Sequence, residues 1–510
     1  MNTFFQKIDS FLNKVTMYRL VLWYLVSLVV VASVLNLFGL LGYGYAWSLW
    51  LVADSMFLLA VAHLINALFS RFFKVPANSE SLYITALIFA LTFDPSSPYV
   101  VFIPLIVLMI IALGSKFLIA RKKKHLFNPV ALGMVLMSFV GYSASWWIGG
   151  TLWLLPFVCI GGFLIVRKIR RFDLILSFLI GFSVSVIGNT VVTHSNFITS
   201  LKQAFTLAPV FFFSTVMLTE PLTTPPRRAG RIAYGAFTGF IFAPWVRLGS
   251  LVLTPELALI FGNVLSYILS PKKRLVLTLK EIVETGSGTK DFIFTPDEKL
   301  DFTPGQFIEW TLNANREDSR GNRRYFTIAS SPTENEIHLG VRFYQNPSAF
   351  KESLLSLKPG DSIVASQLAG DFVMPNDKSK KMVWIAGGIG VTPFRSMAKY
   401  LIDTKQKRDV VLLYASKTLA EVSYKDIFDR AKQEVGLRPQ YVMNMEKGIN
   451  TDSFVYGVID EALVRQSVPD FAERLFYISG PHMMVVSFKN MLVAMGVSAS
   501  QIHSDYFPGF

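Results

Sequence analysis

The chain has 510 residues, which is too long for a single domain. Its net charge of +14 is unevenly distributed, because residues 1–270 hold 19 Lys and Arg against 7 Asp and Glu, whereas residues 271–510 hold 30 against 28. This pattern argues against nucleic acid as a partner, because the basic excess lies in short loops of an apolar half, as membrane topology produces.

The cysteine content and the N-terminal segment argue against cysteine-based sites and against a cleaved signal peptide. The single cysteine, Cys159, lies in an apolar run and is interpreted as a small buried hydrophobic residue. A disulfide framework, a cysteine-ligated iron–sulfur cluster and a zinc-thiolate site are excluded within this chain, and we predict no metal site. The first 18 residues, with Lys7 and Lys14, lack an apolar core before a cleavage site, so we expect no removable signal peptide.

Apolar stretches near the length needed to cross a bilayer recur through residues 1–270. We predict ten such segments, near 19–41, 48–70, 81–93, 99–120, 129–147, 151–166, 172–191, 199–218, 232–248 and 256–270. The segment 81–93 is too short for a full span, and Asn128-Pro129 is typical of a helix N-terminus. Short or proline-broken membrane segments either mark a site or are simply short buried helices, and the sequence leaves both open.

Lys and Arg in the loops predict the orientation. They occur near residues 71–74, 121–124, 167–171, 227–231 and 272–274, which fall on one side if all ten segments cross. The intervening loops contain no Lys or Arg and a single acidic residue, Asp94. By the positive-inside rule we expect a multi-pass protein of the inner, cytoplasmic membrane with both termini in the cytoplasm.

Three stretches resemble a known membrane family. Thr85-Ala86-Leu87, Phe127-Asn128-Pro129 and Glu220-Pro221 resemble motifs of the flavin-carrying membrane proteins shared by sodium-pumping NADH:quinone oxidoreductase and Rnf complexes. The resemblance covers most of residues 60–270 and implies ten membrane helices, bound flavin and electron transfer within the membrane. The threonine motif that carries covalent FMN in that family is missing, because the nearest loop, 143–147, has no threonine. Non-covalent FMN or riboflavin is the alternative that this resemblance leaves.

Composition changes after Ser270. Strand-like runs at 275–282, 290–295, 306–313, 324–329, 336–344 and 362–367, separated by Gly and Pro turns, predict a small β-barrel. A short helix is predicted over 349–357, with Ser348 as its N-cap. On the fourth strand, Arg324, Phe326 and Thr327 place a guanidinium, an aromatic ring and a hydroxyl in series. Such a series can bind a flavin pyrophosphate and ring, although an ordinary strand with a surface arginine fits equally well.

The pattern then changes to α/β. Lys381–Ala386 is predicted as a buried strand, followed by the glycine turn 387–390 and a helix that begins at Pro393, with Thr392 as its N-cap. Glycines allow the backbone to approach a pyrophosphate, and a helix N-terminus attracts its charge. Further strands at 409–416 and 475–479 indicate a parallel sheet, with Gly480-Pro481 after the last of them.

The order of these motifs identifies residues 272–510 as similar to the ferredoxin–NADP⁺ reductase superfamily. The resemblance implies that Arg324 binds the FAD pyrophosphate, Phe326 stacks on the ring where tyrosine is more common, and Thr327 lies near flavin N5. Ser479 stands where many members have cysteine, and Phe507 or Phe510 covers the other flavin face. The positions expected at the reacting rings are Phe326, Thr327, Ser479, Phe507 and Phe510. The positions expected to bind FAD or NAD(P)H are Arg324, Tyr325, Phe326, Thr327, Ser348, Gly370, Gly387, Gly388, Gly390, Thr392, Pro393, Ser416, Gly480, Pro481 and Met483.

These features predict a multi-domain chain: a helical membrane domain at 1–270, an FAD-binding β-barrel at 271–376 and an NAD(P)-binding α/β domain at 377–510. The predicted function is a membrane-bound oxidoreductase that passes electrons from NAD(P)H through FAD to a flavin, quinone or flavoprotein acceptor in or across the bilayer, with room for further redox subunits. Ser416 and Lys417 could meet a 2′-phosphate or be loop residues, so the coenzyme is open. Alternatives are a transporter-like membrane protein with a regulatory or cargo-reducing reductase domain, and a heme-type ferric or oxygen reductase, for which the spans offer only His63.

Overall fold

The computed structural model describes the chain except for residues 1–6, 10, 13–14, 74–78, 96–97, 119, 122–123, 244, 250, 270–273, 313–321, 447, 449 and 506–510. The chain divides into two units, Met1–Lys273 and Arg274–Phe510. Each unit has its own hydrophobic core, so we describe the two separately.

The N-terminal unit is helical. Its helices are α1 Met17–Leu37, α2 Tyr45–Phe73, α3 Ser79–Thr92, α4 Pro98–Leu118, α5 Pro129–Ser138, α6 Leu155–Ile169, α7 Phe172–Thr193, α8 Phe197–Leu207, α9 Arg228–Ile241 and α10 Pro255–Leu269. After α8 a short helical turn, Val210–Phe212, continues into a π-helix, Phe213–Met217. A single core of Leu, Phe, Val and Met side chains runs through this unit.

Far fewer of these helices are long enough to span a bilayer than the sequence predicted. Within the described residues, three pass by length and composition, Met17–Leu37, Tyr45–Phe69 and Phe172–Thr193, and a fourth arises if α8 and the stretch after it, bent by 58°, form one span. The prediction of ten spans is therefore wrong at the level of helix length. A helix of 15 residues rises about 22 Å, less than the roughly 30 Å hydrocarbon core. Apolar composition alone does not show where a helix ends. Helix α5, for instance, ends at Ser138, within the apolar run 129–147.

The start of α5 lies where Asn128-Pro129 predicted it. The Asn128 side chain accepts hydrogen bonds from the backbone N–H groups of Val130 and Ala131 at 3.0 and 3.1 Å. The Asn128 N–H in turn donates to Asn263 Oδ1 at 2.7 Å, and Asn263 donates to the Tyr234 hydroxyl at 3.1 Å. Polar side chains thus satisfy this buried helix end, as an apolar surrounding requires.

The C-terminal unit begins with the predicted six-stranded antiparallel sheet. The strands are β1 Arg274–Gly286, β2 Thr289–Pro296, β3 Phe307–Thr311, β4 Arg323–Thr327, β5 Ile337–Arg342 and β6 Ser362–Ala369, with helix α11 at Ala349–Leu355. The spatial order is β4-β3-β6-β1-β2-β5. Just beyond β4, the Ala329 N–H donates to the carbonyl of His338 in β5 at 3.0 Å, so the two edge strands approach each other. The sheet therefore curls toward a half-barrel around a core that includes Leu277, Phe294 and Trp310.

The second half of this unit is a six-stranded parallel sheet. Its strands are β7 Met382–Gly387, β8 Val410–Ser416, β9 Arg438–Met443, β10 Phe454–Tyr456, β11 Leu475–Ser479 and β12 Ile502–Asp505, and its helices are α12 Thr392–Asp403, α13 Lys425–Val435, α14 Glu461–Ser467 and α15 His482–Ala494. The strand order is β10-β9-β8-β7-β11-β12. The order reverses between β7 and β11, and ligands of open parallel sheets bind at such a reversal, outside the carboxyl ends of the strands.

Candidate cofactor site

Arg324 and Phe326 lie on one face of β4. They stand opposite Trp310 and Ile308 of β3, and both contact Phe350 at the start of α11. The Arg324 guanidinium lies 5.2 Å from the centroid of the Phe350 ring, and the Phe326 and Phe350 centroids are 5.8 Å apart. Because alternate residues of a strand share a face, the spacing of the motif brings the guanidinium and the aromatic ring together.

Tyr325 and Thr327 lie on the other face of the same strand. The Tyr325 hydroxyl donates to Gln367 Oε1 at 3.3 Å, and its ring packs edge-on against Phe307 at 5.7 Å. Thr327 is opposite Phe307 and almost completely buried. The structure therefore separates Tyr325 from the Arg324 face, although the sequence grouped them, while Thr327 ends the strand next to Phe326.

Ser348 occupies the N-cap position of α11, as predicted. Its backbone is extended, and its hydroxyl makes no capping hydrogen bond to the helix. Phe350, two residues further on, lies in the first turn of this helix and contacts the Arg324 guanidinium. Gly370 lies beyond β6 with φ of +119°, a conformation that favours glycine, and its carbonyl accepts a hydrogen bond from Gln306 Nε2 at 3.2 Å.

Three of the residues predicted to bind the nucleotide lie at the carboxyl ends of three neighbouring strands. Ser416 ends β8, Gly387 ends β7 and Ser479 ends β11, in spatial order. In the register of the sheet, Gly387 pairs with Ala415 and Ala386 pairs with Ser479. Ser479 and Ser416 are both buried, and Ser416 Oγ donates to the carbonyl of Thr418 at 2.5 Å. That hydroxyl is therefore already engaged by its own loop.

Glycine is required in the turn after β7. A β-carbon at position 390 would lie 2.6 Å from both the N and Cα atoms of Gly480, so this turn packs directly on the backbone after β11. Gly388 has φ of +52°, in the left-handed region. The two loops can approach this closely only without side chains, which leaves backbone N–H groups at the reversal of the sheet.

Helix α12 begins one residue earlier than the sequence predicted. Val391 is the N-cap, and Thr392 and Pro393 are the first helical residues. The Thr392 hydroxyl donates to the carbonyl of Ile389 at 3.2 Å and so braces the glycine turn. Pro393 and Thr392 are both buried.

Helix α15 begins after Pro481, and the two methionines in its first turn face different ways. Met483, a predicted contact, is 69% exposed. Met484 instead lies against the position where a β-carbon of Gly387 or Gly480 would be. Met484 was not predicted as a site residue, because the sequence does not show which face of a helix that follows a loop turns toward the site. Phe507 and Phe510, predicted to cover the flavin, lie outside the described residues.

A buried polar cluster, also missed, joins the barrel to the parallel sheet. Arg395 of α12 forms a two-pronged ion pair with Glu334, and its guanidinium also donates to the carbonyl of Ala329 at 3.1 Å. His338 of β5 is hydrogen-bonded to Asp291 of β2 at 2.8 Å. Burial, with the Asp291 carboxylate nearby, raises the pKa of the Tyr424 phenol well above its ordinary value, so Tyr424 stays neutral. These contacts fix the antiparallel sheet against the glycine turn.

Comparisons with known proteins agree with this geometry. Residues 384–490 match the family described as the oxidoreductase NAD-binding domain. The chain is 27% identical over 244 residues to a flavohemoprotein of Bacillus cereus, covering 46% of this chain and 60% of the relative. It is 26% identical over 242 residues to a glycine betaine monooxygenase reductase subunit of Chromohalobacter salexigens, covering 46% of this chain and 63% of the relative.

Among solved structures, an Amycolatopsis cytochrome P450 reductase, GcoB, aligns with a TM-score of 0.42 at 24% identity, over 47% of this chain and 71% of that protein. The chain spans less than two thirds of the length of the flavohemoprotein and of the glycine betaine monooxygenase reductase. The sequence matches confirm the prediction for the C-terminal half, which is an oxidoreductase module of the FAD- and NAD-binding kind.

Proposed function

We propose that the whole chain is a membrane-bound flavin oxidoreductase that passes electrons from cytoplasmic NAD(P)H through FAD to an acceptor in or across the membrane. The observation that carries this proposal is the glycine turn after β7, packed on the Gly480 backbone at the reversal of the parallel sheet, within the matched residues 384–490. This turn offers backbone N–H groups to a pyrophosphate, and Ser479 beside it offers a hydroxyl to a nicotinamide amide.

The residues of β4 and α11 fit an FAD molecule. Arg324 supplies a forked cation for the pyrophosphate, and Phe326 on the same face supplies an apolar ring for the isoalloxazine. Ser348 leaves its hydroxyl outside the capping bonds of α11, so it can donate to the same pyrophosphate. FAD, when bound, accepts a hydride and releases electrons one at a time. Hydride transfer between two rings needs no general acid or base, so in this proposal the residues of the site act by holding the rings in register and excluding water.

The acceptor belongs to the N-terminal unit in this proposal. Residues 1–270 form the membrane domain, with both termini cytoplasmic, 271–376 the FAD domain and 377–510 the NAD(P) domain. The resemblance of residues 60–270 to the membrane proteins of sodium-pumping quinone reductase and Rnf complexes supports an acceptor that is a lipid quinone, a flavin such as non-covalent FMN or riboflavin, or a flavoprotein partner. Tethering a reductase at the membrane raises its effective concentration toward such an acceptor.

The absorption spectrum and extracted flavins of the purified full-length protein test this proposal. FAD together with FMN or riboflavin supports electron transfer through a membrane flavin. FAD alone, with NAD(P)H-driven reduction of a quinone, supports direct transfer to the lipid acceptor. A heme Soret band, or protein that binds no FAD under conditions where it remains folded, would overturn the proposal.

A further inference from the structure

An apolar groove opens between α1, α2 and α3 of the N-terminal unit. Its volume is ≈ 910 Å³, within the usual range of small-molecule sites. Its walls include Trp23 and Val26 of α1 and Met56 and Leu59 of α2. Trp23 is 50% and Met56 64% exposed, so these side chains border open space rather than the core.

A hydrogen-bonding pair lies inside this groove. His63 Nδ1 of α2 and the Tyr83 hydroxyl of α3 are 3.3 Å apart, and both residues line the groove. Either partner can donate, depending on the tautomer of the histidine. In either arrangement one N–H or O–H of the pair remains free to donate to a ligand oxygen in an otherwise apolar setting. Ser27 adds a hydroxyl to the lining.

The groove has a polar end and an apolar end. Arg19 and Glu80, in the first turns of α1 and α3, form an ion pair at 3.0 Å. Tyr83 lies three residues beyond Glu80, about one helical turn further in, and Met56 lies about 10 Å from His63 along α2. The hydrogen-bonding pair is therefore close to the charged helix ends, while the apolar wall continues away from them.

We propose that this groove binds an isoprenoid quinone, with a ring carbonyl at His63 and Tyr83 beside Trp23, and the isoprene chain along Val26 and Met56. The inference rests on the proposed function, in which a lipid quinone is one of the acceptors, and it assigns that acceptor a site. A phospholipid fits less well, because the cation at the polar end, Arg19, is already paired with Glu80, and an acyl chain would leave the His63–Tyr83 pair without a ligand oxygen. No Lys or Arg occurs in the described lining.

Tryptophan fluorescence measures binding to this groove directly. The probe is decylubiquinone, titrated into the full-length protein in phosphatidylcholine nanodiscs, because quinones quench nearby indoles and Trp23 lines the groove. The wild-type protein should show saturable quenching. Y83F and H63L should each raise the Kd about 3- to 10-fold, the effect of one lost hydrogen bond. A60F, which places a ring in the groove from an exposed position, should raise it about 10-fold or more.

Matched variants control for non-specific effects. Y45F changes an exposed tyrosine at the other end of α2, and H194L changes an exposed histidine beyond α7; neither residue lines the groove. Both should bind decylubiquinone like the wild type. W23F should reduce the quenching amplitude and so locate the probe.

Three results would overturn the inference. Wild-type protein without saturable quenching, or one Kd shared by all variants, would show that the groove is not the site. Weaker binding in A60F alone would show that the groove accepts any apolar chain. Reduction of ferricyanide by NADH or by NADPH reports on the reductase half separately. If that reaction fails in the wild type the proposed function fails, while the quenching titration still decides the groove.

Discussion

Arg324 combines charge and shape at the flavin face of β4. Its guanidinium lies over Phe350, beside Phe326, where a forked donor can meet two phosphate oxygens. Lysine keeps the charge but loses the fork and the stacking on the ring. We expect R324K to raise the Kd for FAD about 10-fold or more, measured by quenching of flavin fluorescence on titration into apoprotein.

The control for this change is R465K. Arg465 lies on α14, half exposed, in an ion pair with Glu461 one turn away, and it should tolerate lysine with an unchanged Kd for FAD. Equal FAD affinity in R324K and the wild type would remove Arg324 from the pyrophosphate site.

Gly390 allows the turn after β7 to pack closely on the loop after β11. A β-carbon there would press on the backbone of Gly480, which has no flexible side chain to move aside. We expect G390A to push the turn away from β11 and raise the KM for NAD(P)H about 10-fold in ferricyanide reduction, with FAD content unchanged. Gly188 in α7 has open space around its Cα, so G188A is the matched control. An unaltered KM in G390A would show that the turn does not hold the nucleotide.

At the scale of elements, Arg474 ties the amino ends of two strands. Arg474 lies just before β11 and is 3% exposed. Its guanidinium donates to Asp409, just before β8, at 2.8 and 2.9 Å, and to Asp470 at 2.6 and 3.0 Å. These contacts lie at the edge of the sheet opposite the glycine turn. R474M should lower the free energy of unfolding by about 2 kcal/mol, less than for a fully buried pair because both carboxylates are partly solvated. Urea unfolding measures it, and R438M, which removes the more exposed partner of Asp409, should cost clearly less.

The same contacts predict a pH dependence. Hydrogen bonds from Arg474 hold the pKa of Asp470 well below its usual range. Burial raises the pKa of Asp409, but hydrogen bonds from Arg474 and Arg438 outweigh burial and lower it overall. A carboxylate with a lowered folded-state pKa stabilises the fold above its unfolded pKa and loses this effect as pH falls through the folded value. The stability difference between the wild type and D470N should therefore be full at pH 7 and shrink below about pH 4. A difference that stays constant down to pH 2 would contradict this assignment.

Elements differ in how well the sequence predicts them. The six strands of the antiparallel sheet were predicted because apolar runs such as Gln306–Asn313 end at Gly and Pro turns. Strands β9, β10 and β12 were missed, because β9 begins Arg438-Pro439, β10 has three residues and β12 is mostly polar. Parallel pairing with a neighbour, rather than their own composition, makes them strands. The period of two in a strand places Arg324 and Phe326 on one face, whereas Tyr325, which was predicted with them, lies on the other. Local patterns did not predict the Asp291–His338 and Arg395–Glu334 contacts, because their partners are 47 and 61 residues apart in sequence.

At the scale of the whole molecule, charge separates the loops of the N-terminal unit into two classes. Arg171 and Arg227 to Arg231 flank α7 and α9, whereas the turn at residues 194–196 between α7 and α8 holds no Lys or Arg. If α7 crosses the membrane, and the bent stretch from Phe197 to Met217 returns, the two classes lie on opposite sides. In the proposed topology, the positive-inside rule puts the basic class in the cytoplasm, on the side of the reductase half and its NAD(P)H.

Cysteine labelling tests this topology, because Cys159 is the only native cysteine and C159A provides an unlabelled background. Ser195 lies in the turn between α7 and α8, Ala229 lies in the first turn of α9 among the basic residues, and both are exposed. In intact cells a membrane-impermeant maleimide should label S195C but not A229C, and permeabilised cells should show labelling of both. Labelling of A229C from outside would place the basic loops, and the reductase that follows them, away from cytoplasmic NAD(P)H. Equal protection of both positions would mean that α7 does not cross the bilayer, and the N-terminal unit would then need another means of meeting a membrane acceptor.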